Sequence, residues 1–591
     1  MKRRKTSSLY GDKIKDPLLH DRPFLRSEDL PEFRKFYTGS HLIDLLHDNE
    51  NHLIVGRRGT GKTHLLGAFD EFIREECPVE FSVKISILEA VPRTPPTNIL
   101  ETVEFTTSKL GALMYDGFLK VLFKKLLDQA TERTAAMIAS GAVPGGDDKK
   151  FHKKANDILT DLLYAIEFGE AFEVEKKKKA VIRDKLGNTS AANGELSGSL
   201  STSSAKLGIR GKIGKGSDEK HEEEHTTEIN SILGINLFRV RSLILDLLEE
   251  LRIDTLHILI DEWMELDKSI EKGSVQPKFA QYLKTTFCND KKFSLKIATI
   301  WHRTNLYDQK DVSKSNGLQL RHDISRTVDL DTAFLTSDDE VFSFAKNILY
   351  KRLVYACDDV KEMYDKSTGE VRDIFVNELF DNIDNFKVFI TASHGIPRDM
   401  MDLFNKCSLR IRRDFKNYCI CHELIYSVSK AVYMADKRKN IDPDSTPQRL
   451  LVLINSYMES TGRRLFLVKN SQVKNSKSLA KLVDEELIHQ TPSSVTPRSI
   501  CDTHKCYLID FGNYVDWVKT KQLDIATLLN ESVLASFPDD FDQAYESYVL
   551  DVESIIKDRV FCPNQECGHI FLPSNPVYRK HKECPNCATE I

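Results

Sequence analysis

The chain has 591 residues, 41% of them hydrophobic and 29% charged, with a formal net charge of -5. This length exceeds what a single hydrophobic core supports, so three or four domains are expected in a globular protein of ordinary composition. The net charge excludes a nucleic-acid-binding surface spread over the whole molecule, so any basic surface must be local.

The amino-terminal segment is basic but has no apolar stretch behind it. The start "MKRRKTSSLYGDK" therefore does not resemble a secretory signal. No apolar run along the chain reaches the roughly 18 residues that a membrane span needs. A cytoplasmic location without membrane partners is expected.

The first motif in chain order is a glycine-rich loop between an apolar strand (Leu53 to Val55) and an amphipathic helix. It fits the pattern G-x-x-x-x-G-K-[ST], in which backbone N–H groups and the helix N-terminus hold a phosphate. Lys62 is predicted to reach the β- and γ-phosphates of ATP and Thr63 to ligate Mg²⁺. The predicted nucleotide-contacting residues are Gly56, Arg57, Arg58, Gly59, Thr60, Gly61, Lys62, Thr63 and His64. Arg57 and Arg58 are also open to being solvated or to facing a subunit boundary.

The second motif is acidic and lies far along the chain from the first. The apolar run Leu256 to Ile260 is typical of a strand buried on both faces, and it ends in Asp261-Glu262. Asp261 is predicted to hold the Mg²⁺ shell and Glu262 to polarise the attacking water. The pair favours ATP hydrolysis over binding alone.

Three further strands are predicted, at Phe81 to Ile87, Leu295 to Trp301 and Arg326 to Leu330. Helical patterns lie between them, so a parallel α/β sheet covered on both faces is expected. Ligands of such sheets bind at the carboxyl ends of the strands.

The phosphate-binding loop, the strand ending in Asp-Glu, "KIATIWHRT" and "SHGIPRDMMDLF" resemble AAA+ ATPases. Among these the chain is most similar to the branch with the STAND signalling ATPases and the origin-recognition initiators. The resemblance implies a core at residues 1–99 and 226–335 and a helical lid at 336–440. It also implies homo-oligomers and, for prokaryotic relatives, anti-phage defence with a separate effector protein.

The same resemblance implies arginines that sense the nucleotide. Arg303 is the expected sensor after the fourth strand, with His302 and Asn305 as alternatives. Arg398 follows the lid turn of Gly395 and Pro397 as a second sensor. Arg321 and Arg326 are candidates for completing a neighbouring subunit's site. Each arginine also has an ordinary surface or salt-bridge interpretation.

In the family, the two nucleotide motifs usually lie closer together, whereas here about 200 residues separate Lys62 from Asp261. Residues 100–225 are therefore interpreted as a large, mainly helical insertion. Its Ser- and Gly-rich part, 187–225, has two interpretations: a flexible loop, or a hairpin that orders only against a partner or further copies.

After a turn-rich joint, residues 447–530 mix helices with two strands and resemble a winged helix. Asp484, Glu485 and Glu486 on its second helix would repel phosphates. A basic patch on one side of the unit is nevertheless kept as an alternative interpretation. It would be formed by Arg463, Arg464, Lys469, Lys474, Lys477 and Lys481. Docking of a partner protein and binding of DNA are both retained as functions of this segment, and protein docking is preferred.

The C-terminal region, 531–591, ends in a cysteine pattern at 560–591. Cys562 and Cys567 form one knuckle, and Cys584 and Cys587 form the other. Four thiolates suit tetrahedral Zn²⁺ in a structural ribbon that could also contact a protein or nucleic acid. His569 and His581 are possible substitute ligands.

The sequence thus predicts an oligomeric ATPase with ATP, Mg²⁺ and Zn²⁺ that regulates or assembles other components. The retained alternatives are a DNA-binding initiator or loader and a nucleotide-gated scaffold with little turnover.

Overall fold

The structure is a computed structural model. It describes residues 32–90, 103–140, 236–267, 274–288, 290–308, 317–334, 338–356, 379–414, 419–473, 476–495, 503–520, 545–552 and 576–590, and parts of 153–161, 376 and 560–571. The segment 187–225, with its two interpretations, lies outside the described residues.

A five-stranded parallel sheet forms the centre of the molecule. Its strands are β1 (His52–Val55), β2 (Glu80–Ser86), β3 (Thr255–Asp261), β4 (Phe293–Thr299) and β5 (Arg326–Asp329). They lie in the order β2-β3-β4-β1-β5. All residues of β1, β3 and β4 are buried, as expected for strands covered on both faces. The predicted parallel α/β core is confirmed.

Helices surround this sheet and continue from it towards the C-terminus. Those of the first part are α1 (Phe33–Phe36), α2 (Ser40–Leu46), α3 (Lys62–Glu76), α4 (Ile87–Ala90), α5 (Val103–Ser140), α6 (Leu237–Glu250), α7 (Gln276–Leu283) and α8 (Leu330–Phe334). The segment predicted as the lid contains α9 (Asp338–Ala356), α10 (Ile383–Ala392), α11 (Pro397–Asp414) and α12 (His422–Val432). None of the helices in the described ranges combines the length and apolarity needed to cross a bilayer.

One face of the sheet is covered by α5, α6 and α7 in a single hydrophobic cluster. Tyr115, Phe118 and Leu122 of α5 are wholly buried there, and the Tyr115 hydroxyl donates to Thr286 Oγ1 at 2.7 Å. The first helix of the predicted insertion therefore forms a layer of the core and is not set apart from it.

The segment predicted as a winged helix contains a three-stranded antiparallel sheet with β8 in the middle. Its elements are α13 (Thr446–Thr461), β6 (Leu465–Lys469), α14 (Asn470–Val473), α15 (Lys477–Asp484), β7 (Ile488–Val495), β8 (His504–Ile509) and α16 (Phe511–Thr520). We refer to these elements as the C-terminal unit. Local signals define α13: the Ser445 hydroxyl accepts the Gln448 N–H, and Gly462 ends the helix with a φ of 73°.

The second face of the sheet, the lid helices and the C-terminal unit share one continuous hydrophobic cluster. It runs from Ile54 and Phe69 through Phe389 and Phe404 to Tyr507. The C-terminal unit is therefore packed against the rest of the protein over an apolar interface.

The tail has little apolar core of its own. It contains the strands β9 (Val560–Phe561) and β10 (Ile570–Phe571), which pair antiparallel, and α17 (Pro576–His581). Among the described tail residues, the buried cluster consists of Cys562 and Cys584, with Cys567 and Tyr578 packed against them.

Candidate nucleotide-binding site

The predicted phosphate-binding loop joins the buried strand β1 to helix α3 at the carboxyl edge of the sheet. Gly59 and Gly61 have φ values of 87° and 97°, in the left-handed region that favours glycine. No described side chain or distant backbone atom lies within 4 Å of where a Cβ on Gly61 would stand. The first turn of α3 therefore opens directly into free space, as an anion site at a helix N-terminus requires.

The ammonium of Lys62 lies inside this loop, and the residue is only 8% exposed. Its Nζ donates to the carbonyl oxygens of Gly56 and Arg57 at 2.8 and 2.7 Å. Burial lowers the pKa of Lys62 to about 8, although Asp331 and Asp261 act in the opposite direction. The charge is thus placed at the loop with partners that phosphate oxygens can replace.

Strand β3 brings two carboxylates to the same edge. Asp261 is buried, and its Oδ1 accepts the N–H of Glu262 at 2.9 Å. Glu262 has a φ of 60°, an unfavourable backbone conformation of the kind that concentrates at functional sites. The hydroxyl of Ser86, the last residue of the neighbouring strand β2, donates to Glu262 Oε2. The Glu262 carboxylate is therefore held from an adjacent strand.

These groups line one cleft of about 1200 Å³ between the sheet edge, the lid and the C-terminal unit. The volume is sufficient for a nucleoside triphosphate. The predicted residues on its wall are Gly56, Arg57, Arg58, Gly59, Thr60, Gly61, Lys62, Thr63, His64, Asp261, Glu262, His302, Arg303 and Arg398. Asn305 is not among the lining residues, and its N–H donates to Gln276 Oε1 at 2.7 Å.

The lid contacts the loop directly through the turn before α11. The Arg398 N–H donates to the Gly59 carbonyl at 3.3 Å. A Cβ on Gly59 would lie 2.7 Å from Arg398 Cβ and 3.0 Å from Ile396 Cγ2. Only glycine fits at this contact, so the lid turn packs directly against the phosphate-binding loop.

Arg303 lies at the cleft but pairs across to the C-terminal unit. Its guanidinium forms an ion pair with Asp484, and His302 Nε2 lies 3.4 Å from the same carboxylate. Burial alone would raise the pKa of Asp484, but the hydrogen bonds from His302 and Arg303 lower it below its ordinary value. Asp484, predicted to repel phosphates, therefore contributes to an interface inside the protein.

Two residues of the predicted nucleotide set have other side-chain partners. Arg57 Nε donates to Asp331 Oδ1 at 2.8 Å with only 15% of its side chain exposed, so it is not a solvated arginine. His64 Nε2 lies 2.6 Å from the Phe33 carbonyl oxygen. Its imidazole therefore supports α1, and its contribution to the loop is through the backbone.

Arg321 and Arg326 lie away from the cleft of their own chain. Arg326 lies opposite His52 in the strand register of β5 and β1, at the amino-terminal end of both strands, and Arg321 precedes it in the chain. Both are exposed, and β5 is an edge strand of the sheet. A role toward a neighbouring subunit stays a prediction.

Sequence reasoning missed three polar residues at the site. Asp329 and Asp331 line the cleft, and Ser86 holds Glu262. Burial raises the pKa of Asp329, and the Asp331 carboxylate adds to the effect. The sequence carried a signal for two of them, because Ser86 and Asp329 are each the last residue but one of a predicted parallel strand, close to the strand ends where ligands bind.

The predicted basic patch on the C-terminal unit is altered by the burial of Arg464. This residue is 3% exposed, donates to the Ile509 carbonyl and packs over the rings of Phe511 and Tyr514. Arg463 donates to Ser547 Oγ and lies 4.1 Å above the Tyr548 ring. Arg464 is therefore a structural residue and not part of a nucleic-acid surface, while Lys474 lies outside the described residues.

A buried polar cluster joins the lid to the C-terminal unit. Lys437 Nζ lies 2.7 Å from Asp510 Oδ2, and the rings of His394 and His489 are 3.7 Å apart. Burial would raise the pKa of Asp510, but Lys437 and the two histidines hold it well below its ordinary value. His394 immediately precedes the lid turn that contacts Gly59, so the cluster is one turn away from the phosphate-binding loop.

The four cysteines of the tail converge as the spacing predicted. Cys562 Sγ lies 3.4 Å from Cys587 Sγ, and Cys567 Sγ lies 3.8 Å from Cys584 Sγ. All four sulfur atoms lie within 4.8 Å of one another. A tetrahedral zinc ion with Zn–S bonds of about 2.3 Å separates its sulfurs by about 3.8 Å, so the donor set fits the metal. His581 is exposed, and His569 lies outside the described residues.

The chain matches no protein-family model. A search of curated proteins likewise returned no match. Among solved structures, the chain is similar to the Aeropyrum pernix ORC1 protein in complex with DNA, at 11% sequence identity and a TM-score of 0.31. That match covers 87% of this chain and 98% of the other.

Proposed function

We propose that this protein binds ATP with Mg²⁺ in the cleft and hydrolyses it, acting as an AAA+-type regulatory or assembly ATPase. The observation that supports this best is the convergence of Lys62, Asp261 and Glu262 on one cleft at the carboxyl ends of parallel strands. The apolar part of the same cleft, with Phe36, Phe344 and Ile348, suits a nucleobase.

Each group has a distinct task in this proposal. The N–H groups of the loop and the Lys62 ammonium hold the phosphates, because both present positive charge to them. Thr63 and Asp261 hold Mg²⁺, which neutralises charge that develops on the phosphates. Glu262 accepts a proton from water as general base. The direct test is Mg²⁺-dependent release of phosphate from ATP by the purified protein.

The nucleotide bound in the cleft can affect the position of the C-terminal unit through two sets of contacts. One is the lid turn, which contacts Gly59 and continues to His394 and the cluster with Asp510. The other is the pair between Arg303 and Asp484. Both sets of contacts support the proposal that the nucleotide regulates how the C-terminal unit packs against the cleft.

The proposal extends to homo-oligomers, in which Arg321 or Arg326 completes a neighbouring site, and to a separate effector in anti-phage defence. These extensions come from the family resemblance. Mass photometry with and without a non-hydrolysable ATP analogue tests the oligomer. A monomer under both conditions would contradict it.

DNA binding is the second candidate function. It is favoured by the exposure of Lys477 and Lys481 on α15, since basic residues on one helix can contact phosphates. The test is salt-dependent binding of duplex DNA with ATP present. Loss of binding in Lys477→Glu but not in Lys439→Glu, an exposed lysine of the lid segment, would support it. Absence of binding by the wild type would exclude it.

The hydroxyl of Ser86 is expected to matter for turnover but not for affinity. Removing it in Ser86→Ala leaves Glu262 without its held orientation, and a hydrogen bond to a charged group contributes about 1.5–3 kcal/mol. We therefore expect kcat to fall about tenfold or more with unchanged ATP affinity. Ser86→Thr, which keeps the hydroxyl, is the control. Equal kcat in Ser86→Ala and the wild type would refute the positioning role.

ATP affinity is expected to weaken at alkaline pH because Lys62 has a pKa of about 8 in the free protein. Bound phosphates raise that pKa, so binding takes up a proton above pH 8. Affinity is therefore full below pH 8 and falls by up to about tenfold for each pH unit above it. Calorimetric Kd values between pH 7 and 9.5 measure this. Lys62→Arg, which stays charged, should give a flat profile; a flat wild-type profile would contradict the prediction.

The contact between Arg303 and Asp484 is expected to hold the C-terminal unit against the cleft. Asp484→Arg places two like charges together, so the joint at 441–446 should become more sensitive to protease. The charge swap Arg303→Asp with Asp484→Arg should restore protection. The pair is partly exposed and contributes about 1 kcal/mol or less, so a rate change of a few-fold is expected. Equal cleavage of single and double variants would disprove the pairing.

A further inference from the structure

A second group of metal-ligating side chains lies at the amino-terminal edge of the sheet, opposite the phosphate-binding loop. His47 follows α2 as its C-cap, Cys77 follows α3, and Glu80 begins β2. His47 Nε2 lies 3.2 and 3.1 Å from the two carboxylate oxygens of Glu80 and 3.5 Å from Cys77 Sγ. We propose that His47, Cys77 and Glu80 form a zinc-binding site that fastens α2 to the turn between α3 and β2.

The distances from His47 Nε2 are close to those of a tetrahedral zinc site. Bonds of about 2.0–2.3 Å to nitrogen, oxygen and sulfur separate neighbouring ligand atoms by about 3.3–3.7 Å. The ligand atoms of His47, Cys77 and Glu80 all lie within 4.8 Å of one another. A set of one imidazole, one thiolate and one carboxylate suits the borderline-soft Zn²⁺ ion, and its fourth position is left for water.

An ion pair and a catalytic triad both fit the cluster less well than a metal site does. If the cluster were only an ion pair between His47 and Glu80, the Cys77 thiol would have no function in it. The single Nε2–H of His47 cannot make linear hydrogen bonds to two carboxylate oxygens and a sulfur atom at the same time. A Cys–His–carboxylate catalytic triad needs both imidazole nitrogens, one for the thiol and one for the carboxylate. Here thiol and carboxylate approach the same nitrogen, Nε2.

The surroundings hold these ligands in place. Glu80 Oε2 lies 2.9 Å from Nε2 of the wholly buried His257, the kind of supporting contact that orients metal-binding carboxylates. The His47 ring packs edge-on against Phe72. The Glu80 N–H donates to the Cys77 carbonyl at 3.1 Å, so the sequence Cys-Pro-Val-Glu makes one tight turn that presents two ligands, with Pro78 favouring the turn.

The test separates this site from the cysteine cluster of the tail by using the full-length tail-serine variant, in which all four tail cysteines are replaced: Cys562→Ser, Cys567→Ser, Cys584→Ser and Cys587→Ser. The variant is loaded with zinc, freed of loose metal by a chelating resin and analysed for metal content. We expect about one zinc ion per chain, falling to near zero on adding Cys77→Ser or His47→Gln. With Co²⁺ in place of zinc, thiolate charge-transfer absorption should be present in the tail-serine variant and absent once Cys77 is also replaced.

Cys421→Ser, which removes another partly exposed thiol, is the matched control and should change neither readout. Far-ultraviolet circular dichroism checks that the core of every variant is folded. His47→Gln, at a half-exposed position, serves if Cys77→Ser does not fold. Zinc content near zero in the tail-serine variant alone, or cobalt absorption that survives Cys77→Ser in that variant, would overturn the proposal. Neither readout depends on ATP turnover, so the site and the proposed ATPase activity succeed or fail separately.

Discussion

The Lys62→Ala variant is expected to bind ATP far more weakly and to lose at least about 100-fold in turnover. The physical reason is that Lys62 carries a buried charge at the loop, with carbonyl partners only 2.7–2.8 Å away that phosphate oxygens can replace. The alanine side chain offers no donor, and the helix N-terminus alone supplies only a partial charge. Calorimetric ATP binding and phosphate release measure both effects.

The Glu262→Gln variant separates binding from hydrolysis. The amide keeps the size of the carboxylate but cannot accept the proton, so turnover should fall by about 10²- to 10⁴-fold with ATP affinity kept. Lys120→Ala and Glu75→Gln, both at exposed ion pairs and neither lining the cleft, are the controls and should retain full activity. Wild-type turnover no greater than that of Glu262→Gln would end the hydrolysis proposal and favour a nucleotide-gated scaffold.

Replacing Cys584 is expected to unfold the tail. The buried cluster of the described tail residues is made of the cysteines themselves, with one tyrosine against them. Strands of two residues each cannot supply a hydrophobic core. A structural zinc ion provides on the order of 10 kcal/mol in such small modules, so its loss leaves nothing of comparable size. Proteolysis within 560–590 should accelerate strongly in Cys584→Ser and after chelation.

The core should be insensitive to this change, because the tail cysteines and the sheet belong to separate clusters. Thermal unfolding of the core therefore serves as the internal reference for Cys584→Ser. Tyr578→Phe keeps the ring that packs against the sulfurs and should leave proteolysis unchanged. Equal protease resistance of the wild type and Cys584→Ser would argue that the tail folds without metal.

The strands were predictable because their signal is local. The predicted runs of the sheet are short, most of them are mainly apolar, and β1 to β5 fall within a residue or two of those runs. The convergence of the tail cysteines was equally predictable, because two cysteine pairs with short spacing in the sequence fit one tetrahedral metal site.

The arginines were less predictable because their roles depend on partners distant in the chain. Arg57 is paired by Asp331, Arg303 by Asp484, and Arg464 is enclosed by Phe511 and Tyr514. A charged side chain several bonds long reaches in many directions. Its exposure is therefore set by how the domains pack, and sequence spacing does not encode that.

What the sequence determined by itself were the motifs: a glycine-rich loop with Lys62 and Thr63, an acidic strand end and a four-thiol tail, each specified by residue types at fixed short spacing. The tertiary structure decided which groups meet. It placed α5 within the core layer, Ser86 against Glu262, and the C-terminal unit over the cleft. It also brought His47 to Cys77 and Glu80. Contacts across tens to hundreds of residues follow from the sheet order and the packing of its faces, and these arise only when the whole chain folds.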